Sequence, residues 1–125
     1  MLARPSDLTR SVIGCAIEVH RQLGPGLLES AYTACLVHEL IAHDIAFRRQ
    51  VTVPLVYKGT PVDCGYRADL LVEGELLLEL KSVDQLLPLH LAQVLTYLKL
   101  LDLRQALIIN FNVRRLVDGL RSVLR

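Results

Sequence analysis

At 125 residues the chain is long enough for one domain with a single core and short for two. It is 52% hydrophobic and 22% charged, which excludes a disordered chain. A net charge of only +1 argues against a strongly basic nucleic-acid binder and leaves room for no more than a local basic patch.

Ser6 or Asp7, following Pro5, can cap a first helix over 7–22, whose apolar stripe is Leu8, Val12, Ala16, Val19 and Leu23. Gly24-Pro25-Gly26 stops it. A second helix is expected over 27–43, with Leu28, Ala31, Tyr32, Cys35, Leu36 and Leu40 as its buried face. Glu29 lies in its first turn, where the helix dipole favours a carboxylate. From Phe47 the period changes to two: Val51, Val53, Leu55 and Tyr57 alternate as in a strand. Lys58-Gly59 is a turn, and 60–72 continues as a second strand with an irregularity expected near Asp63-Cys64-Gly65. After Glu73-Gly74-Glu75, a third strand over 76–82 is apolar on both faces, as a central strand is. Residues 86–102 read as a helix with Pro88 near its start and Leu91, Val94, Leu95, Leu98 and Leu101 on its inner face. Ala106 to Phe111 is a short buried strand, and Val113 to Leu124 reads as a turn and a short C-terminal helix. The order ααβββαβ, with that last helix appended, is an α/β sandwich with a mixed sheet over a single domain, 1–125.

Cys15, Cys35 and Cys64 are odd in number and form no C-x-x-C pair, against a disulfide framework or a zinc site. They are expected to be reduced and mostly buried, in a cytoplasmic protein. Met1–Pro5 has no apolar leader region, and no apolar run approaches the ~20 residues that cross a bilayer, so no membrane partner is expected.

The chemistry concentrates at Asp69, Glu79 and Lys81, charges set into apolar, strand-like runs where an unpaired charge costs several kcal/mol. Glu79 and Lys81 are two apart and share a strand face. Asp69 reaches that face only if the connecting loop holds an odd number of residues. A three-residue loop with a left-handed glycine satisfies this, and Val72-Glu73-Gly74 would bring Asp69 close to Leu77 and Glu79. Two carboxylates so placed need a shared proton or a cation between them. Mg²⁺, or Mn²⁺ in its place, suits oxygen ligands supplemented by water and phosphate. Lys81 adds a point charge that can orient or deprotonate a nucleophile and stabilise a pentavalent transition state. Gln93 and Tyr97, four apart on one helix face, could hold a metal water or bond a phosphate. Arg67 could bind a phosphate or pair with an acid. The alternative for the charged trio is a buried structural ion pair.

Among the histidines, His38 and His43 are five apart and share no helix face, and His20 and His90 carry no assigned role beyond helix ends or a phosphate contact. Arg48-Arg49, Arg104 and Arg114-Arg115 read as solvated charges and are the candidate basic patches.

Asp69, then Glu79-Leu80-Lys81, then Gln93-x-x-x-Tyr97 resembles the PD-(D/E)XK nuclease superfamily, in its branch with a Gln-x-x-x-Tyr motif. Gly26-Leu-Leu-Glu29-Ser-Ala-Tyr32, with Leu23-Gly24-Pro25-Gly26, Tyr66-Arg-Ala-Asp69 and Ile109-Asn-Phe111, is similar to the small prokaryotic GxxExxY proteins. The resemblance runs in order along essentially the whole chain, and it is the ordered set rather than any one motif that is specific. It implies a restriction-endonuclease-like fold and a Mg²⁺-dependent nuclease acting on DNA, or on RNA. On it, Asp69, Glu79 and Glu29 are the metal ligands, Lys81 and Gln93 join them in catalysis, and Tyr97, Arg67 and Tyr32 contact substrate, Tyr32 either sharing the face of Glu29 or packing beneath it. The rival reading is a non-catalytic binding or assembly module that keeps the fold and works as a homodimer or with a partner protein. A Schiff-base enzyme using Lys81 is disfavoured, since adjacent carboxylates raise a lysine's pKa and that chemistry needs it lowered.

Overall fold

Two apolar clusters, one on each face of a mixed sheet, organise the chain. The computed structural model describes residues 5–125, with side chains from Asp7 onward. The helices are α1 (Pro5–Leu23), α2 (Glu29–Ala42) and α3 (Pro88–Leu101). The strands are β1 (Phe47–Thr52), β2 (Leu55–Tyr57), β3 (Thr60–Val62), β4 (Arg67–Val72), β5 (Leu76–Lys81), β6 (Gln105–Asn110) and β7 (Leu120–Leu124). β1, β4, β5, β6 and β7 lie side by side in that order, and only the β5–β6 pair is parallel, joined through α3 as a parallel crossover requires. β2 and β3 form a separate two-stranded ribbon.

The expected α/β order holds. β5 is central and buried along Leu76–Leu80, because neighbours cover both its edges and helices cover both faces. Leu76, Leu78 and Leu80 pack with Val12, Ala16, Leu36 and Leu40 of α1 and α2, while Leu77 packs with Val94, Tyr97 and Leu98 of α3. α1 begins at Pro5, so Asp7 sits within its first turn and is no cap. The side chain of Ser6 and the leader reading of Met1–Arg4 lie outside the described residues.

Several expectations are corrected. Leu28 is 77% exposed, because it is the extended residue preceding α2 and belongs to no helix face. Leu95 is also exposed; Tyr97 takes its place, since 94, 97, 98 and 101 keep the helical spacing and 95 falls a hundred degrees away. Cys64 is exposed while Cys15 is buried. The two long strands are each broken. Pro54 has no N–H to donate, and it faces Asp63, Cys64 and Gly65 between the Val53–Tyr66 backbone bond and the Leu55–Val62 pair. One residue opposite three is the irregularity expected at 63–65, and it sets the ribbon off from the sheet.

The expected C-terminal helix is a 3-10 turn, Leu116–Gly119, followed by β7. β7 pairs antiparallel with β6 and buries Val123, covering an edge of the buried strand that a helix would leave without hydrogen bonds. Gly119 lies so close to the end of β6 that a Cβ there would sit 2.0 Å from the carbonyl oxygen of Asn110. Gly119→Ala is expected to cost at least about 2 kcal/mol, read as a lowered urea midpoint with an unchanged slope. An unchanged midpoint would show that the turn relaxes without loss.

Candidate metal and catalytic site

The β4–β5 ladder pairs Val72 with Leu76, Leu71 with Leu77 and Leu70 with Leu78. The loop therefore holds three residues, the odd number expected, but they are Glu73-Gly74-Glu75, one position later than Val72-Glu73-Gly74. Glu73 (φ 53°) and Gly74 (φ 71°) are both left-handed, and Glu75 N–H closes the turn on Val72 O. Glu73 tolerates that backbone because its carboxylate and its N–H both bond Ala46, at 2.8 Å each, at the start of β1.

Continuing this register sets Asp69 directly opposite Glu79, and here side chains replace the ladder. Asp69 N–H donates to Glu79 Oε1 at 3.0 Å, and Leu80 N–H donates to Asp69 Oδ2 at 2.8 Å. On its other side Asp69 would meet Gln50, whose φ of 50° interrupts the β1–β4 pairing at that point. Faces change over there: Phe47 and Val72 pack with the α1–α2 cluster, whereas Val51 and Ala68, of the same parity, pack with the α3 cluster. The alternation that would put Arg67 on the face of Asp69 is thus broken. Arg67 is exposed, with its guanidinium on Tyr66 O.

Glu79 is 4% exposed. Burial pushes its carboxyl up to about 8, and the negative charge of Asp69 adds to the rise. Asp69 is also raised, chiefly by burial and also by Glu29, against the lowering effects of the Leu80 N–H and Lys81. Lys81 is half-buried and acts on both acids electrostatically, yet among the described ion pairs none joins it to either. A structural ion pair is therefore not what holds these charges. Two facing carboxyls against one cation must keep a proton or take up a second cation, and their hard oxygen donors suit a divalent ion.

Glu29 approaches from the first residue of α2. Its Oε2 accepts a hydrogen bond from Ser82 N–H at 3.3 Å, and its charge is felt at Asp69. Among the described residues, no group of three or more His, Cys, Asp or Glu side chains closes to metal-holding spacing. Tyr97 comes from α3 and is 6% exposed; burial, then Glu79, Tyr66 and Asp69, raise its hydroxyl pKa, so it stays a protonated donor. Gln93, one turn earlier, is half-buried.

Tyr32 is fully buried rather than presented to a substrate. Its ring stacks on Phe111 at 4.4 Å, and its hydroxyl donates to Gly24 O and accepts from Leu27 N–H. It thereby fixes the loop that delivers Glu29. His20 is spent similarly, on Val113 O at 2.7 Å, and His90 accepts Leu87 N–H at the start of α3.

Three residues had no role in the sequence reading. Ser82 ties the end of β5 to Leu27 O through its hydroxyl. Asn110, 2% exposed, bonds both N–H and C=O of Val83 and the N–H of Asn112, holding the chain just after Lys81. Tyr66 is 45% exposed beside Tyr97. Two of them carried a signal: Tyr66 stands in the Tyr66-Arg-Ala-Asp69 motif, and Asn110, in Ile109-Asn-Phe111, is a polar residue closing an apolar strand.

Residues 6–123 match the family model of the PD-(D/E)XK nuclease superfamily, nearly the full chain. No curated protein and no solved structure matches it.

Proposed function

Because the chain belongs to the PD-(D/E)XK nuclease superfamily, with an α/β architecture consistent with the restriction-endonuclease-like fold, we propose that it hydrolyses phosphodiester bonds of DNA, or of RNA, at Asp69, Glu79 and Lys81. The observation that carries this reading is the crossed pair of carboxyl–backbone bonds between Asp69 and Leu80 and between Glu79 and Asp69. It holds the buried Glu79 and the half-buried Asp69 face to face where β4 and β5 part.

Superfamily members generally use divalent metals, and Asp69 and Glu79 are the residues that would hold one, Mg²⁺ by the hardness of their oxygens. When bound, such an ion would supply positive charge at the scissile phosphate and help activate water. Lys81, which forms no ion pair with either acid among the described residues, stands available to stabilise charge that develops on the phosphate or to orient the attacking water. Tyr97, kept protonated, can donate to a carboxylate or a phosphate oxygen. Glu29 holds the strand end through Ser82 and is the third acid able to join the shell by a change of side-chain rotamer. Gln93 lies on the Tyr97 face of α3 for a phosphate oxygen or a water. Arg67 stays available for the backbone at the rim. The small prokaryotic GxxExxY group is the branch we favour, from Glu29 and Tyr32 in their motif.

The test is cleavage of single- and double-stranded DNA and RNA with Mg²⁺ or Mn²⁺, and after chelation. Cleavage is expected to need the divalent ion, to disappear in Glu79→Ala and to fall roughly 10²–10³-fold in Lys81→Ala. Persistence in both variants would remove the assignment.

A further inference from the structure

We propose that Tyr66 and Tyr57 form a base-stacking arm beside the site, so that the polynucleotide it admits is unpaired. The inference rests on the nuclease reading and names its substrate class.

The chain has two Phe, four Tyr and no Trp. Tyr32, Tyr97 and Phe111 are buried and Phe47 is half-buried, but Tyr57 and Tyr66 are 65% and 45% exposed. Both exposed rings lie on one feature, the β2–β3 ribbon and the segment that returns from it to Asp69. Tyr66 is three residues before Asp69, and its ring meets that of Tyr97 edge-on, centroids 6.1 Å apart. Tyr97 in turn feels the charges of both acids. Tyr66 is therefore the exposed aromatic closest to the chemistry.

Its position is fixed in advance. Tyr66 O accepts bonds from Val53 N–H and from Arg67, and the Asp63–Gly65 turn shapes the approach. From the Val53–Tyr66 pair to Tyr57 is four residues, about 13 Å of extended chain. At the tip, Lys58 stands 5.6 Å from the Tyr57 ring centroid and adds a cation for backbone phosphate. Every residue of β3 is exposed, and two of the three in β2 are. A two-stranded ribbon has little stability of its own, so core packing does not explain why aromatic rings stand on it.

Aromatic rings displayed along a ribbon take the π-faces of bases, and only unpaired bases offer them. Tracking an intact duplex relies instead on many phosphate contacts, which a net charge of +1 does not favour.

The experiment measures fluorescence anisotropy of labelled oligothymidylate and oligouridylate, and of a blunt duplex, on the Lys81→Ala chain in Mg²⁺. Both single strands are expected to bind more tightly than the duplex, since stacking reads the base and not the sugar. Tyr66→Ala is expected to weaken single-strand binding roughly 5- to 100-fold, and Tyr66→Phe to preserve it. Tyr57→Ala, whose ring supports no core, should weaken binding in the same direction without shifting the melting temperature. Duplex bound as well as single strand, or unchanged affinity in both alanine variants, would overturn the arm. With Lys81 restored, cleavage that persists alongside such unchanged affinity overturns the arm alone. Tyrosine-dependent binding without cleavage of any substrate overturns the nuclease reading alone.

Discussion

Replacing Lys81 by alanine is expected to lower phosphodiester cleavage by roughly 10²–10³-fold while Mg²⁺ affinity is retained. The two effects separate because the ammonium is not a ligand. It is half-buried, acts on Asp69 and Glu79 electrostatically, and forms no direct ion pair with them. Glu79→Gln should lose both activity and ion binding, since it removes a charge from the facing carboxyls while keeping the shape and the acceptor for Asp69 N–H. Single-turnover cleavage with calorimetric Mg²⁺ titration reads the two quantities independently. Full activity in Lys81→Ala, or undiminished Mg²⁺ binding in Glu79→Gln, would reject the roles given to those residues.

In the absence of divalent ions the protein is expected to lose stability as pH rises from about 4.5 to about 8. The folded-state carboxyl of Glu79 sits near 8, against 4.5 for the ordinary group. Between those values the folded chain keeps a proton that the unfolded chain has released, so stability falls with increasing pH. Below 4.5 both states are protonated and the contribution is fully present; above 8 it is gone. Asp69, also raised, acts in the same direction, while Lys81 opposes it by favouring both carboxylates. Glu29 and Tyr97 complete the set of groups facing the pair. The ideal slope is about 1.4 kcal/mol per pH unit, and partial solvation of the opening reduces the total to roughly 3 kcal/mol. Urea denaturation in EDTA across this range measures it. Glu79→Gln should flatten the profile, and Mg²⁺ should stabilise the wild type far more at pH 8 than at pH 5, because it binds the ionised pair. A wild-type profile as flat as that of Glu79→Gln would show that the pair carries no such proton.

The helices and the central strand were legible because their apolar spacing is strong. Val12, Ala16 and Val19 recur at helical intervals, and Leu76–Leu80 is apolar except at Glu79. The approach of Asp69 to Glu79 was legible as well, through parity: an odd loop keeps cross-strand partners on one face. The exact loop was not, because Glu73 in a left-handed backbone is stabilised by Ala46, distant in sequence. Leu28 and Leu95 were misplaced where a helix boundary or a single hundred-degree step decided exposure. β7 was missed because Leu120–Leu124 has no pattern of its own and becomes a strand only against the open edge of β6.

The sequence by itself determined which charged residues enter the apolar strands, since acids and a lysine inside apolar runs declare themselves by the cost of burying them. It also determined the α/β order, because periodicity is a local property. Tertiary structure alone decided how those residues are held. The parting of β4 from β5 at Asp69, the reversal of faces at Gln50, the use of Glu29 on Ser82 and the burial of Tyr32 against Phe111 each depend on segments far apart in the chain. Their energies come from contacts that exist only once the sheet and its two helical layers have assembled.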